Sequence, residues 1–135
     1  MLEKNRKAMA KRIIIVDDSE STRYVVKLAL AQTDATIIEA SDGTEALELF
    51  DGRKVDLLIT DFNMPEMNGD ELIRAVRKND NYLETPILLL TGKEKEFSDN
   101  QLMNELRGWI KKPFIKDSFV KEVKNCLYQE SLCCR

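Results

Sequence analysis

The residues best suited to chemistry stand directly after apolar runs of the sequence. Acidic, hydroxyl and basic side chains follow four such runs, in the order Asp17-Asp18, Asp61, Thr91-Gly92 and Lys112-Pro113. Taken alone, an Asp after a strand, a Thr-Gly turn or a Lys-Pro dipeptide is weak support for a site. Their joint occurrence is far more specific. If the runs are parallel strands, these side chains project from one edge of one sheet.

Three clustered carboxylates imply a bound cation, because like charges held close raise one another's pKa or require a cation between them. The chain contains no histidine and its cysteines are remote from the acids, which disfavours zinc. Carboxylate and backbone carbonyl oxygens favour a hard ion such as Mg²⁺, which retains several waters and accepts a phosphate oxygen. Lys112 would supply a mobile cation for a phosphoryl group, and the Thr91 hydroxyl could donate to one of its oxygens.

The available nucleophiles narrow the reaction class. Without histidine there is no Ser-His-Asp or Cys-His pair, and no glycine-rich phosphate loop follows the first run. What remains is a carboxylate nucleophile, which can form an aspartyl phosphate. Asp61 is the best placed, since it ends a central apolar run and is followed by Phe62-Asn63-Met64-Pro65.

Five short apolar runs predict the strands that must position these residues: 12–16, 36–40, 55–60, 86–90 and 108–111. Three of them show no polar alternation, which is typical of parallel strands buried on both faces. Right-handed crossovers place the intervening helices on both faces of such a sheet. The prediction is therefore an α/β fold with a doubly wound, five-stranded parallel sheet and a site beyond its carboxyl edge.

Helical spacing fills the segments between the runs. The apolar stripes are Val25, Leu28 and Ala29, then Ala46, Leu47 and Phe50, then Leu72, Ala75 and Val76, and last Phe119, Val123, Cys126 and Leu127. The weakest helix is predicted from about Ser98 to Leu106. We expect Thr44 to cap the second helix, and Asp17 or Asp18 to cap the first in addition to binding metal. Asn68-Gly69 is expected to be a turn and helix start.

Composition bounds the class of protein. A chain of 135 residues with a net charge of -3 fits one domain and carries no basic footprint for nucleic acid. No apolar stretch approaches the roughly 20 residues that span a bilayer, and residues 1–12 lack the apolar core of a secretory signal. We therefore expect a cytoplasmic protein with neither a nucleic-acid nor a membrane partner. We expect a polar extension over 1–10, the domain over 11–128 and a tail over 129–135.

The three cysteines cannot organise the fold through disulfides. Cys126, Cys133 and Cys134 all lie in the last part of the chain. Cys126 falls on an apolar helical stripe and is expected to be buried. The Cys133–Cys134 pair is expected to belong to a frayed tail, the alternative being a lipidated or redox-active pair.

Five sequence blocks in order resemble one family. They are Val16-Asp17-Asp18-Ser19, Ile59-Thr60-Asp61-Phe62-Asn63-Met64-Pro65, Met67-Asn68-Gly69, Leu90-Thr91-Gly92 and Lys111-Lys112-Pro113-Phe114. Over roughly Lys11 to Tyr128 the chain resembles the receiver domain of two-component response regulators, and most closely the stand-alone, CheY-like regulators. The resemblance implies a flavodoxin-like fold and a single-domain signalling switch.

The resemblance assigns roles residue by residue. It implies that Asp61 is the phospho-acceptor and that Asp17 and Asp18 hold Mg²⁺ together with Asp61 and the backbone carbonyl of Asn63. Thr91 matches the hydroxyl that moves towards the phosphoryl group. Lys112 matches the lysine that pairs with the same group; Lys111, on the opposite strand face, is its weaker competitor.

Two further residues match positions near the site. Pro113 implies a cis peptide bond after Lys112. Trp109 occupies the place of the switch aromatic, usually Tyr or Phe. Because an indole is larger and has no hydroxyl, whether Trp109 swings inward remains open, the alternative being an aromatic that never switches. We also predict that Lys93 alters the lifetime of the phosphorylated state.

The resemblance also implies partners. A histidine kinase would present the phosphohistidine, and a downstream protein would bind the face formed by the fourth helix, the fifth strand and the fifth helix. Since the chain ends at Arg135, we expect no output domain of its own. Chemotaxis is one pathway that fits, alongside phosphorelays.

Two rivals remain. One is a Mg²⁺-dependent phosphatase of the haloacid-dehalogenase type, which would have an acid where Asn63 stands. The other is a binding module that keeps the fold and works without phosphorylation.

Overall fold

One parallel sheet forms the centre of the computed structural model, which describes residues 10–64, 66–92 and 104–128. Its strands run in the order β2-β1-β3-β4-β5. They are β1 (Arg12–Val16), β2 (Thr36–Ala40), β3 (Leu57–Asp61), β4 (Ile87–Thr91) and β5 (Gly108–Lys111). The predicted doubly wound parallel fold is confirmed. Strand β3 begins two residues and β4 one residue later than predicted, and both end one residue later, because Asp61 still pairs with Leu90 and Thr91 with Lys111.

Helices follow the strands in the predicted alternation. They are α1 (Glu20–Ala29), α2 (Gly43–Glu48), α3 (Gly69–Arg77) and α4 (Lys116–Leu127), with a 3₁₀ turn at Asp80–Tyr82. The predicted helix between β4 and β5 lies mostly outside the described residues, although its last part, Asn104 and Glu105, is helical. Lys93, the Cys133–Cys134 pair and the predicted terminal segments, apart from Ala10, also lie outside them.

The three central strands, β1, β3 and β4, are mostly apolar because both faces of the sheet are covered there. Alternate residues of β1 divide between two cores. Ile14 and Val16 pack with residues of α2 and α3, whereas Ile13 and Ile15 pack with residues of α1 and α4. Full burial of each such side chain contributes about 1.5–3 kcal/mol. The sheet is therefore a rigid platform whose carboxyl edge can hold polar groups in fixed positions.

The predicted buried face of α1 is wrong for Val25 and Leu28 and confirmed for Ala29. Val25 and Leu28 are about half exposed, at 48% and 53%, and α1 buries Val26 together with Ala29. Both stripes follow the helical period and share Ala29, but Val26 lies one residue, or about 100° around the helix axis, from Val25. The predicted stripe of α4 is confirmed, with Phe119, Val123, Cys126 and Leu127 all buried.

Two predicted caps are also wrong. The N-cap of α1 is Ser19, whose hydroxyl accepts a hydrogen bond from the Thr22 amide, so neither preceding aspartate caps the helix. The N-cap of α2 is Asp42 rather than Thr44, because the Asp42 carboxylate accepts from the Glu45 amide at 2.7 Å. Asn68 begins α3 as predicted, through a reciprocal capping box with Glu71.

None of the helices within the described ranges has both the length and the apolar character that a membrane crossing requires.

Candidate functional site

The two acids after β1 face different surroundings. Asp17 directly follows the strand and its side chain is only 1% exposed, whereas Asp18 is exposed. The Asp17 amide continues the sheet by donating to the Ala40 carbonyl at 3.2 Å. The Asp17 Oδ1 atom accepts from the Ser19 amide at 2.8 Å. The start of α1 therefore holds one acid inside the site and leaves the next at its rim.

Asp61 is the last residue of β3 and is 7% exposed. Its Oδ1 atom accepts from the amide of Phe62 at 2.8 Å. The start of α3 closes against it: the Gly69 amide donates to the Phe62 carbonyl at 2.7 Å, and a Cβ at Gly69 would lie 2.7 Å from the Asp61 carbonyl oxygen. A glycine at this position lets the helix approach the strand end closely.

Lys112 joins the two buried acids. Its Nζ lies 3.0 Å from Asp17 Oδ2 and 3.3 Å from Asp61 Oδ2. The Lys112 amide donates to the Thr91 carbonyl at 2.7 Å, which extends the β4–β5 pairing to this residue, and the Lys112–Pro113 peptide is cis as the resemblance implied. Lys111 is exposed, as expected from the opposite strand face.

The charges of this cluster are strongly coupled. Burial and then the neighbouring Asp17 carboxylate raise the pKa of Asp61, against the opposing effect of the Lys112 ammonium. Burial acts to lower the pKa of Lys112, but its hydrogen bond to Asp17 and the two carboxylate charges outweigh burial and raise the pKa. The ammonium group thus stays charged between two acids that repel each other.

The remaining predicted residues lie along the same edge at different depths. Thr91 is fully buried at the end of β4, beside β3. Asn63 is exposed in the loop two residues after Asp61. Trp109 lies within β5 opposite Leu89 and is 37% exposed, two positions before the strand end. In the sheet register it is level with Leu89 and Thr60, one residue, or roughly 3 Å, before the position of Asp61.

The acids fit a hard divalent cation. Asp17, Asp18 and Asp61 each offer a carboxylate oxygen, and these oxygens lie within 4.8 Å of one another. Oxygen-only donors at this spacing suit Mg²⁺ or Ca²⁺ rather than a metal that prefers nitrogen or sulfur. The local excess of negative charge, offset only in part by Lys112, gives a cation a further electrostatic reason to bind here.

Sequence analysis did not find Arg23, which contacts the site from α1. Its Nη1 atom donates to the Asp17 backbone carbonyl at 2.5 Å, and its Nε pairs with Glu39 at 3.0 Å. The sequence feature that could have identified Arg23 is its position one helical turn after the Ser19 cap, where a long basic side chain can reach back over the strand ends.

Comparison with known proteins decides the family. The family model described as response regulator receiver domain matches residues 13–124. The chain belongs to this family. It is 36% identical over 108 residues to the chemotaxis protein CheY of Pseudomonas aeruginosa, covering 76% of this chain and 85% of that protein.

Other relatives place receiver domains in different contexts. The chain is 35% identical over 117 residues to the sensor histidine kinase TmoS of Ectopseudomonas mendocina, covering 86% of this chain but only 12% of the kinase. Among solved structures, Vibrio cholerae CheY4 matches with a TM-score of 0.76 at 33% identity, covering 88% of this chain and 100% of that chain.

The receiver fold, the CheY-like resemblance and the role as a phospho-acceptor in two-component signalling are thus established for this chain. A receiver implies a histidine kinase as phosphodonor and a downstream target, and its acidic cluster is able to hold a metal ion. The chain is accordingly a signalling switch.

Proposed function

We propose that Asp61 is the phospho-acceptor of this receiver and that it takes a phosphoryl group from a phosphohistidine of a histidine kinase with the help of Mg²⁺. The observation that carries the proposal is the convergence of three carboxylates and one ammonium group at a single edge of the sheet. Of the three acids, Asp61 lies on the central strand β3. Its Oδ2 lies near Lys112, and its Oδ1 accepts a hydrogen bond from the Phe62 amide. A carboxylate oriented in this way is a suitable nucleophile.

Transfer would proceed by in-line displacement. A carboxylate oxygen of Asp61 forms a bond to phosphorus while the phosphorus–nitrogen bond to the donor imidazole breaks. The imidazole leaves with that electron pair as a neutral base, its other ring nitrogen keeping its proton. The products are an aspartyl phosphate and an unmodified histidine.

Charge neutralisation is the main requirement of this step. The carboxylates of Asp17, Asp18 and Asp61 and the backbone carbonyl of Asn63 would hold Mg²⁺. When bound, the ion neutralises negative charge on the transferring oxygens. The Lys112 ammonium, which bridges Asp17 and Asp61 before transfer, would move onto a phosphoryl oxygen.

The new phosphoryl group would then bias the conformation of the domain. In this proposal the Thr91 hydroxyl donates to a phosphoryl oxygen, and Trp109 on the neighbouring strand responds as the switch aromatic. The partly exposed Trp109 and the 72% exposed Ile115 support an output surface on β5 and α4, together with the helix before β5. A target protein would read this surface, and similarity to chemotaxis proteins makes chemotaxis a pathway to test.

The exposed face of α1 supports a place for the phosphodonor. Tyr24, Val25 and Leu28 are each about half exposed and share one side of the helix. The helix begins beside Asp17 and Asp18, so a partner lying along it would bring its phosphohistidine to the same edge of the sheet. In this proposal the kinase contacts these three side chains.

The switch would assist its own phosphorylation and dephosphorylation without turning over an external substrate. Intact-mass measurement after incubation with a small acyl phosphate, with and without Mg²⁺, tests this directly. We expect a gain of one phosphoryl group that requires Mg²⁺ and is lost in Asp61→Asn. Asp34→Asn, at an exposed acid in the turn before β2, is the matched control and should be phosphorylated normally.

Three outcomes would contradict the proposal. Phosphorylation of Asp61→Asn at the wild-type rate would assign the acceptor elsewhere. Steady hydrolysis of an external phosphomonoester would indicate a phosphatase instead. Absence of any phosphoryl gain in the wild type would favour a module that works without phosphorylation.

A further inference from the structure

One side chain outside the acidic cluster holds the backbone on which two of its acids stand. Arg23 projects from the second turn of α1, and its side chain is only 14% exposed. Its Nη1 donates to the carbonyl oxygen of Asp17 at 2.5 Å. That carbonyl belongs to the peptide unit that joins Asp17 to Asp18. Its orientation therefore decides in which direction Asp18 leaves the strand.

The guanidinium group is itself fixed from a second side. Arg23 Nε lies 3.0 Å from Glu39 Oε1, and Glu39 stands on β2 directly opposite Ile15 of β1. The planar fork of the guanidinium can serve both acceptors at once. Arg23 thus connects α1, the edge strand β2 and the β1 end with a single rigid group.

Lys27 provides a comparison within the same cluster. Lys27 lies one helical turn after Arg23, and its Nζ is 2.9 Å from Oε2 of Glu39 on β2. Hydrogen bonds from Lys27 and then from Arg23 lower the pKa of Glu39. The two residues therefore share an ion-pair partner, and Arg23 in addition donates a hydrogen bond to the Asp17 carbonyl.

We propose that Arg23 is a positioning residue for the metal-binding acids, which acts by holding the Asp17–Asp18 peptide so that both carboxylates face one cation. The inference rests on the proposed function, because it takes Asp17 and Asp18 as ligands of Mg²⁺. Hydrogen-bond partners behind a metal ligand commonly change metal affinity by about 10–100-fold when they are removed. Since Arg23 holds a backbone group rather than a ligand atom, we expect the lower end of that range.

The direction of the change in Mg²⁺ affinity distinguishes a positioning role of Arg23 from a purely electrostatic role. Arg23→Gln and Lys27→Gln each remove one positive charge near the site, and this by itself favours the binding of a divalent cation. A purely electrostatic role predicts equal or tighter Mg²⁺ binding in both variants. A positioning role predicts weaker binding in Arg23→Gln alone.

The experiment measures the Mg²⁺ dissociation constant of the full unphosphorylated chain by titration calorimetry at constant ionic strength. We expect Arg23→Gln to raise the dissociation constant about tenfold and Lys27→Gln to leave it unchanged or slightly lower. Arg23→Lys keeps the charge but cannot reproduce the fork, so its affinity should fall between those of Arg23→Gln and wild type. Glu39→Gln should weaken binding less than Arg23→Gln, since the bond to the Asp17 carbonyl remains.

Each outcome decides the matter. Wild-type affinity in Arg23→Gln, in a protein that unfolds cooperatively, overturns the positioning role and leaves the proposed function intact. Absence of Mg²⁺ binding in the wild type overturns both. If Arg23→Gln does not fold, Arg23→Lys serves as the test variant, and wild-type affinity in it overturns the inference.

Discussion

Gly69 offers the sharpest test of how closely α3 approaches the end of β3. A Cβ placed at Gly69 would lie 2.7 Å from the Asp61 carbonyl oxygen and 2.9 Å from the Phe62 Cα. Both are backbone atoms of the strand end, so neither can rotate away as a side chain could. Gly69→Ala must therefore move α3 away from β3 or shift the Asp61–Phe62 backbone.

The expected magnitude follows from two opposing effects. Forcing an extra methyl group into a packed site destabilises a protein by about 1–3 kcal/mol. Replacing a helical glycine by alanine recovers roughly 0.5–1 kcal/mol of backbone entropy. We therefore expect Gly69→Ala to lower the free energy of unfolding by about 1–2 kcal/mol. For a chain of 135 residues this corresponds to a fall in melting temperature of about 3–8 °C.

Gly43→Ala is the matched control. Its Cβ would come within 2.8 Å of Met67 Cγ and 2.9 Å of Met67 Sδ, which can adopt another rotamer, and 3.0 Å from Met67 Cβ, which needs a shift of only a few tenths of an ångström. Denaturant unfolding followed by fluorescence of the single tryptophan gives stability, and intact-mass analysis gives the rate of phosphorylation from an acyl phosphate. We expect Gly69→Ala to be less stable and phosphorylated more slowly, with Gly43→Ala close to wild type. Wild-type stability and phosphorylation in Gly69→Ala would refute the close approach described here.

Three further predictions concern other parts of the molecule. Lys112→Met removes the cation between two buried carboxylates and should lower the free energy of unfolding in chelator by about 1–2 kcal/mol, which is below the range for a fully buried pair because Lys112 is part-exposed. Denaturant titration with and without Mg²⁺ measures this change, and unchanged stability in chelator would contradict the prediction. Leu28→Glu should slow phosphotransfer from a histidine kinase but leave phosphorylation by an acyl phosphate unaltered, and equal slowing with both donors would argue against a docking role for α1. Burial raises the pKa of the Cys126 thiol to about 11. In a Cys133→Ser, Cys134→Ser background, alkylation of Cys126 at pH 8 should therefore be slow in the folded protein and fast in denaturant, and fast labelling of the folded protein would show that Cys126 is accessible.

The order of elements and the position of the site could be predicted from the sequence. Strands such as Ile13–Val16 are covered on both faces, so every position must be apolar, and such runs are recognisable without tertiary information. In a parallel sheet the carboxyl ends share one edge, so the residues that follow the runs must gather there. Asp17, Asp61 and Lys112 were found in this way, and the structure brings all three together.

The rotation of α1 and the identity of its cap could not be predicted. The stripes containing Val25 and Leu28 or Val26 and Leu30 obey the same spacing, with Ala29 in both, so periodicity cannot choose between them. Packing against the sheet chooses the second stripe, and the pairing of Arg23 and Lys27 with Glu39 of β2 is compatible with that rotation. Ser19, Asp17 and Asp18 are all able to cap a helix, and only the backbone path off β1 gives the cap to Ser19.

The sequence by itself determined which reactive side chains this protein contains and that they meet at the carboxyl edge of the sheet. Strand burial and chain direction leave a clear pattern in the order of residues. The tertiary structure alone decided that Asp17 is buried while Asp18 is exposed, that Lys112 bridges two acids, and that Arg23 holds the Asp17 carbonyl. The contact of Lys112 with Asp17 joins residues distant in the chain, and all three features depend on side-chain reach and backbone direction at the ends of strands. Neither quantity has a period or a spacing that residue order records.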